Sequence, residues 1–140
     1  MRILVLCTGN SCRSQMAEGF FRAYAQQLDL DLQVASAGLK PKGVHPLAIK
    51  AMAERGVDIS KHASDPIERY LDDKFDFVIT VCDNAAANCP VFPGAGTKLH
   101  WPFDDPDAAT GSEAEVMDEF RRVRDQIAEK VSSWLEGIRA

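Results

Sequence analysis

Cys7-Thr8-Gly9-Asn10-Ser11-Cys12-Arg13-Ser14 puts a cysteine, five residues, an arginine and a serine at a spacing that can do chemistry. A loop of this length can turn once around a tetrahedral oxyanion with its peptide N–H groups pointing inward. Thr8, Gly9, Asn10, Ser11 and Cys12 would supply those N–H groups. Arg13 can grip two oxyanion oxygens with its planar fork. A helix that starts at the end of the loop adds positive potential at the same point. That field favours an anionic sulfur at Cys7, and the thiolate is the nucleophilic form. Ser14 could donate a hydrogen bond to it, and Gly9 permits close backbone approach. The alternative is a plain strand-to-helix turn with a buried cysteine. The flanking elements favour the anion loop.

Those elements are legible in the hydrophobic pattern. Ile3-Leu4-Val5-Leu6 is a continuous apolar run, as in a strand covered on both faces. Met16, Phe20, Tyr24 and Leu28 recur every four residues and predict an amphipathic helix from about Ser14 to Leu28. Leu30, Leu32 and Val34 alternate with polar or small residues and read as an edge strand, ended by Ser36-Ala37-Gly38. Pro46 opens a second helix that Gly56 closes. Ser64 to Leu71 reads as a short helix with Pro66 in its first turn. Phe75 to Val81 is a second apolar strand, hence central. Asp83 to Gly96 reads as a long mobile loop with at most one helical turn. Thr97 to Trp101 is a short last strand. Ser112 and Glu115 form a capping box for a long C-terminal helix. Trp101 and Trp134 read as core residues.

This order implies an α/β fold. It is a doubly wound, four-stranded parallel sheet in the order 2-1-3-4 with helices on both faces. The two apolar strands then lie in the centre. Ligands of such sheets bind beyond the carboxyl ends of the strands. Cys7, Cys82 and the segment from Trp101 to Asp105 all fall there.

The 140 residues amount to one domain, residues 1–140, with 46% hydrophobic and 26% charged residues. No apolar run reaches the ~18–20 residues of a membrane helix, and no secretory signal opens the chain. The expectation is a cytoplasmic protein without a membrane partner. Its net charge of −5 argues against nucleic acid as a partner. A small anion remains compatible if positive potential is concentrated in one pocket. The four cysteines, Cys7, Cys12, Cys82 and Cys89, should rest as thiols. Their spacing lacks the Cys-x-x-Cys pairs of a structural zinc site. Cys12 reads as a packing residue. His45, His62 and His100 show no metal spacing and read as loop or packing residues. Asp104-Asp105-Pro106 follows the last strand, where a loop can fold over the site. The alternative there is a surface turn.

Cys7–Gly19 is similar to the anion loop of the low-molecular-weight protein tyrosine phosphatase superfamily, and within it to the thioredoxin-coupled arsenate reductases. Ser36-Ala37-Gly38, Val81-Cys82-Asp83, Asn88-Cys89-Pro90, His100-Trp101, Phe103-Asp104-Asp105-Pro106 and Arg121–Ile127 extend the resemblance over nearly the whole chain. It implies that Cys7 is the nucleophile, that Arg13 and the loop N–H groups bind the oxyanion, and that Ser14 tunes the thiolate. It assigns the proton donor to Asp105. It also implies arsenate as substrate and a relay of thiols: a Cys7–Cys82 disulfide forms as arsenite leaves. Cys89 then attacks, giving Cys82–Cys89, which thioredoxin reduces.

Seven helical residues would span ~10.5 Å. A disulfide needs its Cα atoms within ~7 Å. The Cys82–Cys89 bond therefore requires the intervening segment to bend or unwind. No tightly bound cofactor is implied. Some relatives hold a potassium ion, which would fall here to Asn10, Glu18 and Asp65. Ala63 replaces a hydroxyl residue often used near that ion, and the alternative for Glu18 is a solvent-facing place on the first helix. Three other readings stay open. One is a phosphatase that hydrolyses phosphate monoesters through a phosphocysteine, although Asp107 stands where such enzymes often carry an aromatic residue. Another is a phosphocysteine carrier, which would need neither Arg13 nor an acid. The third is a reductase served by glutaredoxin or a small thiol.

Overall fold

The computed structural model describes residues 1–88 and 95–139. Four parallel strands form one sheet: β1 (Arg2–Cys7), β2 (Gln33–Gly38), β3 (Phe75–Thr80) and β4 (Ala95–His100). Their order is β2-β1-β3-β4, as the distribution of apolar runs implies. Four α-helices flank it: α1 (Arg13–Gln27), α2 (Pro46–Ala53), α3 (Asp83–Asn88) and α4 (Glu113–Arg139). Single 3-10 turns occupy Ile67–Tyr70 and Pro106–Ala108. Among the described residues no helix is long and apolar enough to cross a membrane.

Ile3 to Leu6 are fully buried, as a central strand covered on both faces requires. Helices α1, α2 and α4 pack against one another. Phe20, Phe21, Phe120, Val123 and Ile127 bury their side chains in that layer. The capping box forms as the sequence predicts: Glu115 N–H donates to Ser112 Oγ at 3.1 Å, and Ser112 N–H to Glu115 Oε1 at 3.3 Å. His45 caps α2 with its ring Nδ1, which accepts from Leu47 N–H at 3.0 Å, and Pro46 follows in the first turn. Gly56 adopts φ +74°, open to glycine at little cost, just past the helix.

Several boundaries differ from the sequence expectation, β3 and β4 each ending one residue early. Strand β2 begins at Gln33 rather than Leu30 and runs through Ser36-Ala37-Gly38. Leu28 and Leu30 instead finish α1, donating to the Tyr24 and Ala25 carbonyls while Asp29 takes φ +55°. Pro66 precedes the 3-10 turn rather than lying within it. Residues 83–88 form α3, somewhat longer than the one helical turn expected within that loop, and the remainder of the expected loop lies largely outside the described residues. Strand β4 starts at Ala95 because Gly96 approaches the Asp76 carbonyl closely. A Cβ there would stand 2.8 Å from the carbonyl oxygen.

The parallel register sets the site. Leu6 lies opposite Thr80, and the Val81 N–H donates to the Leu6 carbonyl at 2.9 Å. Cys7 and Cys82 therefore leave neighbouring strands at the same edge. The Trp101 N–H bonds the Thr80 carbonyl and the Phe103 N–H bonds the Val81 carbonyl, which brings the segment after β4 to that edge too. Trp101 stacks on Phe21 and meets Trp134 edge-on, with ring centroids 6.0 and 5.6 Å apart. Both tryptophans thus serve as packing, and they anchor the base of the segment that carries Asp105.

Candidate active site

Residues 7–14 form an arc from the end of β1 to the start of α1. Its carbonyls are taken up outside the arc. Leu39, Lys40, Lys42 and His45 donate their peptide N–H groups to the carbonyls of Cys7, Thr8, Gly9 and Ser11. Gln15 and Ser64 side chains occupy the Asn10 carbonyl. A trans peptide points its N–H opposite to its C=O, and no peptide here is cis. Outward carbonyls therefore turn the arc's N–H groups inward.

The inner side of the arc opens on a cavity of about 440 Å³. Cys7, Thr8, Gly9, Ser11, Cys12 and Arg13 line it. They meet Cys82 and Asp105, so the residues assigned to nucleophile, oxyanion grip, second thiol and acid converge. Among the described residues, Lys42, Asp83 and Asp107 complete the lining.

Within the expected oxyanion set Asn10 stands apart in its side chain, not in its peptide N–H, which the outward Gly9 carbonyl turns inward. It is fully buried, does not line the cavity and takes φ +45°. Its side chain turns away and braces the arc. The Asp65 N–H can only donate, so it fixes the amide with Oδ1 towards itself at 3.0 Å. The amide nitrogen then reaches Ser14 Oγ at 2.8 Å and Ser36 Oγ at 2.9 Å. Ser14 Oγ lies 3.0 Å from Cys7 Sγ. With Asn10 donating to Ser14, the serine hydroxyl hydrogen is free to point at the sulfur. Gly38 lies under the same braces. A Cβ there would stand 2.7 Å from the Thr8 carbonyl oxygen and 2.8 Å from Asn10 N.

Arg13 is held by the Phe103 carbonyl at 3.0 Å and faces Asp105 Oδ2 at 3.6 Å. Its side chain is 13% exposed, against 43% for Asp105. The adjacent Asp104 turns outward to Arg122 on α4 at 2.9 Å, so of the two aspartates only the one before Pro106 faces the cavity. Cys82 Sγ accepts from Ala85 N–H at 3.4 Å and lies 3.4 Å from Thr8 Oγ1. Cys12 is buried, and burial pushes its thiol up to about 12, so it stays neutral and packs as expected. Cys89 lies outside the described residues.

The three potassium residues do gather behind the arc, around a second cavity of about 310 Å³ that Glu18 and Asp65 line. Glu18 is 6% exposed, not solvent-facing. Its oxygens are already engaged: Ser36 donates to Oε1 at 2.8 Å, and Arg22 pairs with Oε2 at 3.1 Å. Arg69 pairs with Asp65 at 2.9 Å. Asn10 Oδ1 already accepts from Gln15 and Asp65. Oxygens paired with two arginines and already accepting a serine hydroxyl and N–H donors do not fit a bare cation, and no step is assigned to one.

Sequence reasoning passed over Ser36, Gln15 and His62. Gln15 spans the Asn10 and Ala63 carbonyls, and His62 Nδ1 meets Gln15 Oε1 at 3.0 Å. A polar Gln and Glu on the otherwise apolar face of α1 were the available signal. His100 bridges Thr80 Oγ1 at 2.8 Å and Asp83 Oδ1 at 3.0 Å.

Comparison with known proteins fits this geometry. The arsenate reductase of Halalkalibacterium halodurans is 48% identical over 134 residues, covering 96% of this chain and 94% of that protein. That of Bacillus subtilis strain 168 is 46% identical over the same shares. The solved structure of an arsenate reductase in the phosphate binding state is similar with a TM-score of 0.81 at 36% identity, covering 98% of each chain. Residues 2–140 match the family described as Low molecular weight phosphotyrosine protein phosphatase. With that match spanning the chain and relatives this similar, the chain belongs to the low-molecular-weight phosphotyrosine protein phosphatase family.

Proposed function

We propose that this chain reduces arsenate to arsenite through a relay of three thiols. One observation carries the reading: Cys7 and Cys82, each at the carboxyl end of one of two neighbouring strands, line one cavity with Arg13 and Asp105. A phosphatase needs a single cysteine. The second thiol has a use only if the bound atom can accept electrons, and arsenic(V) can.

The arc N–H groups and Arg13 hold the tetrahedral anion. Cys7 thiolate, with Ser14 donating to it, attacks arsenic. Asp105 supplies a proton to the departing oxygen, which leaves as water. Cys82 thiolate then attacks Cys7 sulfur. The S–S bond forms, the S–As bond breaks, and its electron pair stays on arsenic, which departs as arsenite. Two thiols are oxidised and one arsenic is reduced by two electrons. Cys89 attacks Cys82 in turn, freeing Cys7 and leaving Cys82–Cys89 for thioredoxin. Because residues 83–88 are helical, that bond requires α3 to unwind. Amide exchange across residues 83–88 is expected to speed up on oxidation.

The relatives named arsenate reductase support the substrate. Hydrolysis of phosphate monoesters is the second reading, favoured by the same arc, and phosphate is expected to compete with arsenate.

The test is stoichiometric. Reduced protein given arsenate without any reductant should lose two thiols for each arsenite released, and Cys7→Ser should release none. Arsenite without thiol loss, or phosphate ester cleavage with no arsenate reduction, would overturn the reading.

A further inference from the structure

We propose that Asp107 is a positioning residue for Asp105, fastened across the mouth of the Cys7 cavity by Lys42 and His45. The proposal rests on the reading of Asp105 as proton donor. It adds a device that neither the sequence motifs nor the fold assigns.

Two segments face each other over the cavity. One is residues 40–45, which donate to the arc's carbonyls. The other is the 3-10 turn Pro106–Ala108, whose N-cap is Asp105. Asp107 joins them with both carboxylate oxygens. Lys42 Nζ donates to Oδ2 at 2.7 Å, and His45 Nε2 lies 3.1 Å from Oδ1. His45 is already oriented. Its Nδ1 accepts from Leu47 N–H, so the proton of the neutral ring sits on Nε2 and points at Asp107. Its ring also packs on Phe120, with centroids 4.8 Å apart. The Lys42 stem crosses Gly9 so closely that a Cβ on the glycine would stand 2.9 Å from Lys42 Cε. The lysine is thus laid along the arc itself.

The connection to Asp105 runs through backbone. The Asp107 N–H donates to Asp105 Oδ1 at 3.0 Å. That bond occupies one oxygen and leaves Oδ2 facing Arg13 and the cavity. A carboxyl that must deliver a proton to one oxygen of a bound anion gains from a fixed direction, since small misplacements are costly in rate. The clasp ties that direction to the segment that shapes the arc, so acid and nucleophile share one frame. Charge supports the same assignment. The Lys42 ammonium holds the Asp107 carboxyl below its ordinary value, and the carboxylate in turn raises Lys42. An unpaired carboxylate at this mouth would repel an arriving anion. Lys42 therefore has a second effect, favouring binding, whereas removing Asp107 frees that ammonium and should not weaken binding.

The two effects separate in kinetics of the full chain, with arsenate as substrate and thioredoxin with its reductase supplying electrons. Asp107→Asn should lower kcat about tenfold without raising KM, because general acid catalysis contributes ~10²–10⁴ and is weakened rather than removed. Asp105→Asn added to Asp107→Asn should cost far less than in the wild type, since both act through one carboxyl. Lys42→Met should lower kcat and also raise KM, and Lys42→Arg should restore both. A carbon-13 carboxyl spectrum should show the Asp105 signal displaced in Asp107→Asn. That last readout needs no arsenate turnover, so it decides the clasp even if arsenate reduction is absent. Asp105→Asn at full rate would defeat the assignment of the acid. Asp107→Asn with unchanged kcat and an unmoved Asp105 signal, while Asp105→Asn is slow, would overturn the clasp alone. So would losses at the two positions that multiply independently.

Discussion

Cys7 ends β1, Cys82 lies two residues past the end of the adjacent central strand β3, and both line the same cavity, yet their surroundings differ. Cys7 opens an arc whose carbonyls are bonded outward and whose buried centre, Asn10, spends its side chain on Ser14, Ser36 and Asp65. Cys82 opens the six-residue helix α3, tied back by the Thr8 and Ala85 contacts to its sulfur and by a His100–Asp83 bridge whose aspartate side chain is 91% exposed. Among the described residues, more bonds fix the first region than the second. A cradle for a tetrahedral anion must not yield, because preorganised donors gain their strength from staying fixed. A thiol that passes a disulfide onward has to move. The contrast between the two regions matches that division of labour.

The largest expected effect breaks the rigid side. Gly38→Ala has no room for its methyl group between the Thr8 carbonyl and Asn10. It should cost roughly 1–3 kcal/mol in a urea titration. It should also cost on the order of a hundredfold in kcat/KM for arsenate, within the range that fine misplacement can impose. Ser36→Ala comes next. It strands Glu18 Oε1 and one Asn10 N–H, both buried, and should destabilise by roughly 1–3 kcal/mol. Turnover should fall less than with Gly38→Ala, because Asn10 keeps Ser14.

On the other side, Ala87→Gly weakens α3 at an exposed position, by about 1 kcal/mol of helix propensity. Amide exchange over residues 83–88 should quicken while turnover stays within about twofold, as a helix that unwinds in the cycle would allow. Equal loss of activity from the Gly38 and Ala87 changes would erase the contrast.

The strands beside both thiols were legible in the sequence because they are buried on both faces and so read as unbroken apolar runs. The arc was legible because thiol, guanidinium and hydroxyl sit within one turn of chain. Local alternation misled at Leu30 and Leu32. Leu30 closes the end of α1, Leu32 precedes the strand, and the pairing that defines β2 begins only where Gln33 N–H finds the Met1 carbonyl. Ser36-Ala37-Gly38 looks like a turn by composition. Its serine is instead buried against Glu18 and its glycine lies under the arc, facts that depend on which strand lies alongside. Asn10 looked like one more loop donor. Its positive φ and its bond from Asp65, far along the chain, turn it into a brace. Lys42, His45 and Asp107 carry no local pattern at all, since their meeting depends on two loops folding to one edge of the sheet.

The smallest effect lies away from both regions and serves as their control. The Arg121 guanidinium, assisted by Arg124, holds Glu54 at about 2 instead of 4.5 and joins the end of α2 to α4. A carboxyl held low in the folded state contributes stability above its ordinary value and loses it as pH falls through the folded one. Glu54→Gln should therefore lower Tm by a few degrees near neutral pH. The difference from wild type should shrink between pH 4.5 and about 2, with arsenate turnover unaffected.

The relay is tested most directly by arsenate-dependent NADPH oxidation in the presence of thioredoxin and thioredoxin reductase. Wild type should turn over repeatedly, Cys89→Ser should release one arsenite per chain and then stall, and Cys7→Ser should release none. Sustained turnover by Cys89→Ser would contradict the passage of the disulfide from the rigid cradle to the yielding helix.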